Sequence, residues 1–184
     1  MVPFLTTRSR IVLASVLAVP FLLIGCKSAP APAPAATAAE NPPVPKPTYP
    51  ARPTVPLPAF KVFKHINSSF TLTIKPDATD DEIESLIWQL HDASRTRTLN
   101  SIKISQKAFD TDGDSVNFHI YRGTKCATEK FVPEVVCGGG YHASGDYTYT
   151  TVNKKPWDTG TLLHDEDHRV RLWDPEAPYT PASK

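Results

Sequence analysis

With 184 residues, 40% hydrophobic and 21% charged, the chain has material for one folded domain of ordinary size. Its 20 Lys and Arg nearly balance 19 Asp and Glu, and no basic stripe runs along any segment, which argues against a nucleic-acid partner. The near-neutral total hides a division: from Phe60 onward there are 15 Lys and Arg against 18 Asp and Glu, a net charge of −3.

The chain begins with a short basic patch, Arg8 and Arg10, followed by the uncharged apolar segment Ile11 to Ile24. That length suits the apolar core of a secretory signal and falls short of the roughly 20 residues needed to span a bilayer. Ser9 separates the arginines, so the pattern is that of the general secretory route and not the twin-arginine one. The segment closes on Leu23-Ile24-Gly25-Cys26, and there it resembles the bacterial lipoprotein precursors. The resemblance implies that Leu23, Ile24 and Gly25 are read by the processing enzymes and that cleavage falls before Cys26. It also implies that the Cys26 sulfur carries diacylglycerol, with two or three acyl chains giving stable membrane residence. Lys27 follows in place of the aspartate that retains such proteins in the inner membrane of enteric bacteria, which favours the outer membrane. The alternative is an ordinary signal peptide that ends near a cysteine.

Ser28 to Ala59 holds 11 prolines in 32 residues and only three charges, Glu40, Lys46 and Arg52. Proline fixes φ, removes a donor and keeps the preceding residue out of the helical region, so this stretch is expected to be a semi-rigid polyproline-II-like spacer. At about 3.1 Å per residue its reach is about 100 Å. Its Pro-x-x-Pro spacings also fit ligands of polyproline-binding modules. The expected organisation is thus a signal (1–25), a lipidated Pro-rich tether (26–59), a domain (60–174) and a flexible tail (175–184).

Within the domain, Phe70, Leu72 and Ile74 alternate with Thr71 and Thr73 as a strand. Thr79 and Glu82 form a capping box, with Asp80 and Asp81 in the first turn where the helix dipole favours negative charge. Ile83, Leu86, Ile87 and Leu90 then mark the apolar face of an amphipathic helix running to about Ser94, with Trp88 on its flank. Ile102 and Ile104 suggest a second strand, and Asp110 to Asp114 a turn. Val116, Phe118 and Ile120 give a third strand, and Tyr147, Tyr149 and Thr151 a fourth. A final hairpin is expected from Thr161–Leu163 and Arg169–Trp173. The order implies an α+β fold: a mostly antiparallel sheet with one amphipathic helix packed on one face.

If Cys26 carries lipid, Cys126 and Cys137 remain as an even pair in an oxidising compartment, which favours a disulfide over two thiols or a metal pair. Asp110, Asp112 and Asp114 supply acids in the manner of a calcium loop. The glycine falls at position 4 of the loop and position 12 is Tyr121, so the frame does not fit. His164 and His168 have the i, i+4 spacing of zinc proteases, but the second position is Asp165, and the flanking acids read as a solvated turn. Gly138-Gly139-Gly140 lacks the strand-to-helix setting of a phosphate loop. Tyr141, Tyr147, Tyr149 and Trp157 are candidate interface anchors or sugar platforms, or else cover the edge of a small core.

No convergent catalytic set emerges and no cofactor is implied. The expectation is a lipid-anchored envelope protein whose domain is a non-enzymatic interaction module, presenting its sheet and the Cys126 to Tyr149 region to an envelope protein or glycan. The alternative is a small metal-dependent envelope hydrolase built on His164, His168 and nearby acids.

Overall fold

The computed structural model describes residues 45–128, 137, 143–164 and 168–182. The signal, the lipobox with Cys26, Tyr141 and the acids between His164 and His168 lie outside them. Six strands, β1 (Lys61–Ile66), β2 (Ser69–Ile74), β3 (Ser115–Arg122), β4 (Gly145–Val152), β5 (Lys155–Leu163) and β6 (Arg169–Arg171), form one sheet in chain order. Every pairing is antiparallel except β2 with β3, which run parallel. A parallel pair needs a long crossover, and here it is made by α1 (Asp80–Arg95), the 3-10 turn η1 (Leu99–Ile102) and α2 (Gln106–Thr111). The α+β architecture, with one main helix against a mostly antiparallel sheet, is as expected.

Helix α1 starts where the capping box places it. Thr79 Oγ1 accepts from the Glu82 amide at 3.3 Å, and Glu82 Oε2 accepts from the Thr79 amide at 2.9 Å. It ends in a Schellman arrangement: Thr98 N donates to Ala93 O at 2.8 Å and Arg97 N to Ser94 O at 3.3 Å, with Arg97 at φ +57°. Ile83, Leu86, Ile87 and Leu90 are fully buried against Leu72, Phe118, Ile120 and Tyr147 of the sheet. The approach is closest at Gly145, where a Cβ would lie 2.6 Å from Ile83 Cγ2, so only glycine fits beneath the helix there.

Several sequence expectations change. The alternating Ile102 and Ile104 belong to no strand: Ile102 ends η1, Lys103 takes φ +64°, and Ile104 N donates to Leu99 O, burying Ile104 through a turn. Helix α2, capped by Ser105 Oγ accepting from Ala108 N at 3.1 Å, ends at Thr111, so Asp110 is helical and only Asp112–Asp114 form the turn. Strand β1 had no alternation to betray it, because it is an exposed edge strand with a bulge between Val62 and Lys64. Strand β5 begins at Lys155, six residues earlier than expected, since Pro156 and Gly160 disguise it. The disulfide is formed, with Cys126 and Cys137 Cα atoms 5.4 Å apart.

Residues ahead of Phe60 also meet helix α1. Arg52 pairs with Asp92 of α1 and its guanidinium lies 4.9 Å from the centre of the Trp88 ring, while Ser85 Oγ donates to Val55 O at 3.1 Å. At the other end, the segment expected as a free tail folds back on the same helix through Tyr179, whose hydroxyl donates to Asp92 Oδ1 at 3.3 Å. Asp92 thus ties down both ends. Among the described residues no helix is long and apolar enough to cross a membrane.

Candidate functional site

Beside its core stripe, α1 carries a second stripe: Trp88, His91, Asp92 and Arg95, spaced i, i+3, i+4, i+7 and therefore on one face. Strand β5 brings Asp158 against it. Asp158 pairs with Tyr149 across the ladder, which puts its side chain on the helix side of the sheet. The carboxylate, 3% exposed, places Oδ2 3.0 Å from His91 Nε2 and 3.4 Å from Arg95 Nε. These are ion-pair distances without hydrogen-bond alignment. Among the described residues both Asp158 oxygens, His91 Nδ1 and Arg95 Nε lack a hydrogen-bond partner. Buried polar groups are nearly always satisfied, so this buried, charge-paired cluster stands out as the candidate site.

Beneath them Tyr147 is fully buried. Ser94 Oγ donates to His91 O at 2.9 Å, leaving Tyr147 OH to donate to Ser94 Oγ at 2.5 Å. Burial and then the negative charge of Asp158 push the Tyr147 hydroxyl well above its ordinary range. The Trp173 ring stacks on His91 with centroids 4.4 Å apart and 17° between planes, and its Nε1 donates to Asp158 O at 3.2 Å. It can lie there because residue 160, across from it, is glycine: a Cβ would fall 2.1 Å from Trp173 Cη2.

Beside this cluster is a cavity of about 190 Å³ lined by Trp88, Trp173, Arg95 and Asp158, and by Pro175, Pro178 and Tyr179 of the C-terminal segment. A second depression of about 390 Å³ shares Arg95 and continues to Trp157 and Val152. Trp157 and Val152 are 38% and 48% exposed. Pro175, Ala177 and Pro178 line both cavities, so a strap of chain is what separates them.

Chemically, the cluster offers a buried carboxylate, an imidazole, a guanidinium and two indoles. Ser94 is 4% exposed and committed to His91 O and Tyr147, while the hydroxyls of Tyr179 and Thr180 line the cavity. The arrangement can hold and orient a guest through stacking and charge.

The residues singled out in the sequence fare differently. Of the four aromatics, Tyr147 is wholly interior and presents nothing to a partner, because its ring fills the sheet–helix core. Tyr149 is half-buried against Phe109 at 4.9 Å, Trp157 is exposed at the second cavity, and Tyr141 lies outside the described residues. Asp110, Asp112 and Asp114, whose spacing does not fit a calcium loop, meet separate partners. Asp110 accepts from Arg97 at 2.7 Å and from Gln106 at 3.0 Å, Asp112 pairs with His65 at 2.6 Å, and Asp114 accepts the Thr151 amide through its backbone oxygen. His164 and His168 join in a backbone bond at 3.0 Å that closes the β5–β6 hairpin, and His164 Nδ1 reaches Asp80 at 2.7 Å. Among the described residues no group of three or more His, Cys, Asp or Glu is placed to hold a metal.

Three further histidines each face an aspartate remote in sequence. The pairs are His65 with Asp112, His91 with Asp158, and His119 with Asp146 at 2.8 Å. Sequence reasoning missed His91, Arg95, Asp158 and Tyr179. The i, i+3, i+4, i+7 stripe on α1 was a legible signal for the first two. No protein-family model, curated protein or solved structure matches this chain.

Proposed function

We propose that this chain is a bacterial envelope lipoprotein, held by acyl chains on Cys26 in the outer membrane, whose domain is a non-enzymatic binding module working through the α1–β5 cavities. The observation that carries the reading is the buried ion-paired set of His91, Arg95 and Asp158 beneath an indole-walled cavity. Trp88, Trp173 and Arg95 line that cavity, where a guest can stack and pair. The lipobox and the proline-rich stretch that follows it support placement on a membrane, with the module held off the bilayer.

The test is a photo-crosslinking side chain placed at Thr180, on the cavity rim, in the full-length protein in its host cell. The reading expects a discrete adduct in the membrane fraction that Trp88→Ala abolishes, and release of the protein from that fraction by Cys26→Ala. An adduct indifferent to Trp88→Ala would contradict the binding site. A membrane-bound Cys26→Ala protein would contradict the anchor.

A further inference from the structure

The parallel strands β2 and β3 end side by side, with Ile74 in register with Arg122. The chain leaves these two ends by separate routes. Past β2, Lys75 and Pro76 turn toward α1, and Ala78 N donates to Lys75 O at 3.2 Å. Past β3, Gly123 takes φ +69° and donates its N–H to Ile74 O at 2.9 Å, with Thr124 following. A Cβ on Gly123 would lie 3.3 Å from Pro76 Cγ, so glycine lets the two routes touch. Ligands of open α/β sheets sit in the crevice outside the carboxyl ends of parallel strands.

The same position here holds a cavity of about 360 Å³, within the range of about 300–1,000 Å³ usual for small-molecule sites. The start of β1 borders it, since Lys61 pairs with Thr73 across the ladder. Phe60, Ile74 and Pro76 give it an apolar lining, while Lys61 and Lys75 bring positive charge and no acid lines it. The cavities beside β5, in contrast, include Asp158 and Asp174 in one and Glu176 in the other. A lining whose only charges are cations stands out in a domain of net charge −3 from Phe60 onward.

The two lysines are not equivalent. Lys75 Nζ lies 3.0 Å from Glu82 Oε1, while Glu82 Oε2 caps α1, so the Lys75 charge is already answered within the fold. Lys61 is exposed and ion-pairs with no described residue. A single negative charge therefore completes the set, and a doubly charged phosphate monoester overfills it.

We propose that this crevice is a binding site, separate from the α1–β5 cavities, for a small free carboxylic acid with an aliphatic body. The carboxylate pairs with Lys61, and the aliphatic chain covers Phe60, Ile74 and Pro76.

The test uses the full-length chain in nanodiscs of zwitterionic lipid and follows the backbone amide resonances of Thr73, Ile74, Gly123 and Thr124 as sodium hexanoate is added. Hexanoate should shift them with half-saturation at about a millimolar, the affinity open to so few atoms. Acetate has the charge without the chain, and hexylammonium has the chain with the opposite charge. Each should bind at least about tenfold more weakly than hexanoate. Lys61→Glu reverses an exposed charge and should weaken hexanoate at least about tenfold. Thr124→Trp, which fills the crevice from an exposed position, should abolish the shifts, with the remaining amide spectrum verifying the fold of both variants. Amides that ignore hexanoate, acetate binding as tightly as hexanoate, or full affinity in Lys61→Glu would overturn the proposal. So would the same shifts in nanodiscs of anionic lipid without hexanoate, since a lipid headgroup would then be the ligand.

Discussion

Replacing Gly160 by alanine tests the construction of the site from its narrowest point. The backbone at Gly160 does not need glycine's left-handed freedom, so alanine brings no conformational penalty of that kind. It does bring a methyl into space held by a rigid ring, 2.1 Å, 2.4 Å and 2.8 Å from three atoms of the Trp173 indole. Contacts that short cannot be absorbed by a rotamer adjustment, so the indole must leave or the strand must shift. If the strand yields, the cost is that of overpacking, about 1–3 kcal/mol. If the ring is expelled, the loss approaches that of truncating a large aromatic, about 3–5 kcal/mol, lowered because Trp173 is only partly buried. About 2–3 kcal/mol is therefore expected, read by urea denaturation followed by tryptophan fluorescence. In a Trp173→Ala background the same substitution should be neutral or slightly stabilising, by up to about 0.5 kcal/mol, because only the unfolded-state entropy of glycine is then lost. A Gly160→Ala cost below about 0.5 kcal/mol, or one that persists without Trp173, would refute the packing argument.

Asp158→Asn keeps the shape but strips the charge opposed to His91 and Arg95, and should cost about 3 kcal/mol in urea denaturation, with the imidazole and guanidinium left uncompensated. Reducing the Cys126–Cys137 disulfide, whose ends are 11 positions apart in sequence, should lower stability by about 3 kcal/mol by the loop-closure argument, visible as a drop in Tm on adding thiol. Burial raises the Glu84 carboxyl above its ordinary 4.5, with Asp81 adding to the effect, so the folded state resists its ionisation and stability falls as pH rises through that range. Glu84→Gln should thus be more stable than wild type at neutral pH and indistinguishable well below 4.5, in paired denaturation curves. Arg97→Gly should stabilise by up to about 1 kcal/mol, since Arg97 sits at φ +57° and its exposed pairing with Asp110 offsets little.

Helix α1 was legible to the residue at its start because the capping box and the apolar stripe are local signals. Strands β2, β3 and β4 were legible because one face of each is buried, which forces alternation. Strand β1 escaped because an edge strand facing water has no pattern to impose, and β5 because Pro156 is tolerated beyond the end of β6 and Gly160 is required by Trp173. The site escaped for a different reason. Asp158 lies 67 positions from His91, and no periodicity within α1 says which strand will face it. The docking of Arg52 and Tyr179 on Asp92 is likewise a product of the tertiary fold, since proline content alone reads as spacer or free tail.

The claim at the centre of this account is that a guest enters between α1 and β5, and the three tryptophans all stand at that place. Full-length protein labelled with fluorotryptophan gives one fluorine resonance each for Trp88, Trp157 and Trp173. The account predicts that Tyr179→Ala, which removes part of the cavity wall, shifts Trp88 and Trp173. Trp88 and Trp173 resonances that ignore the substitution would contradict it.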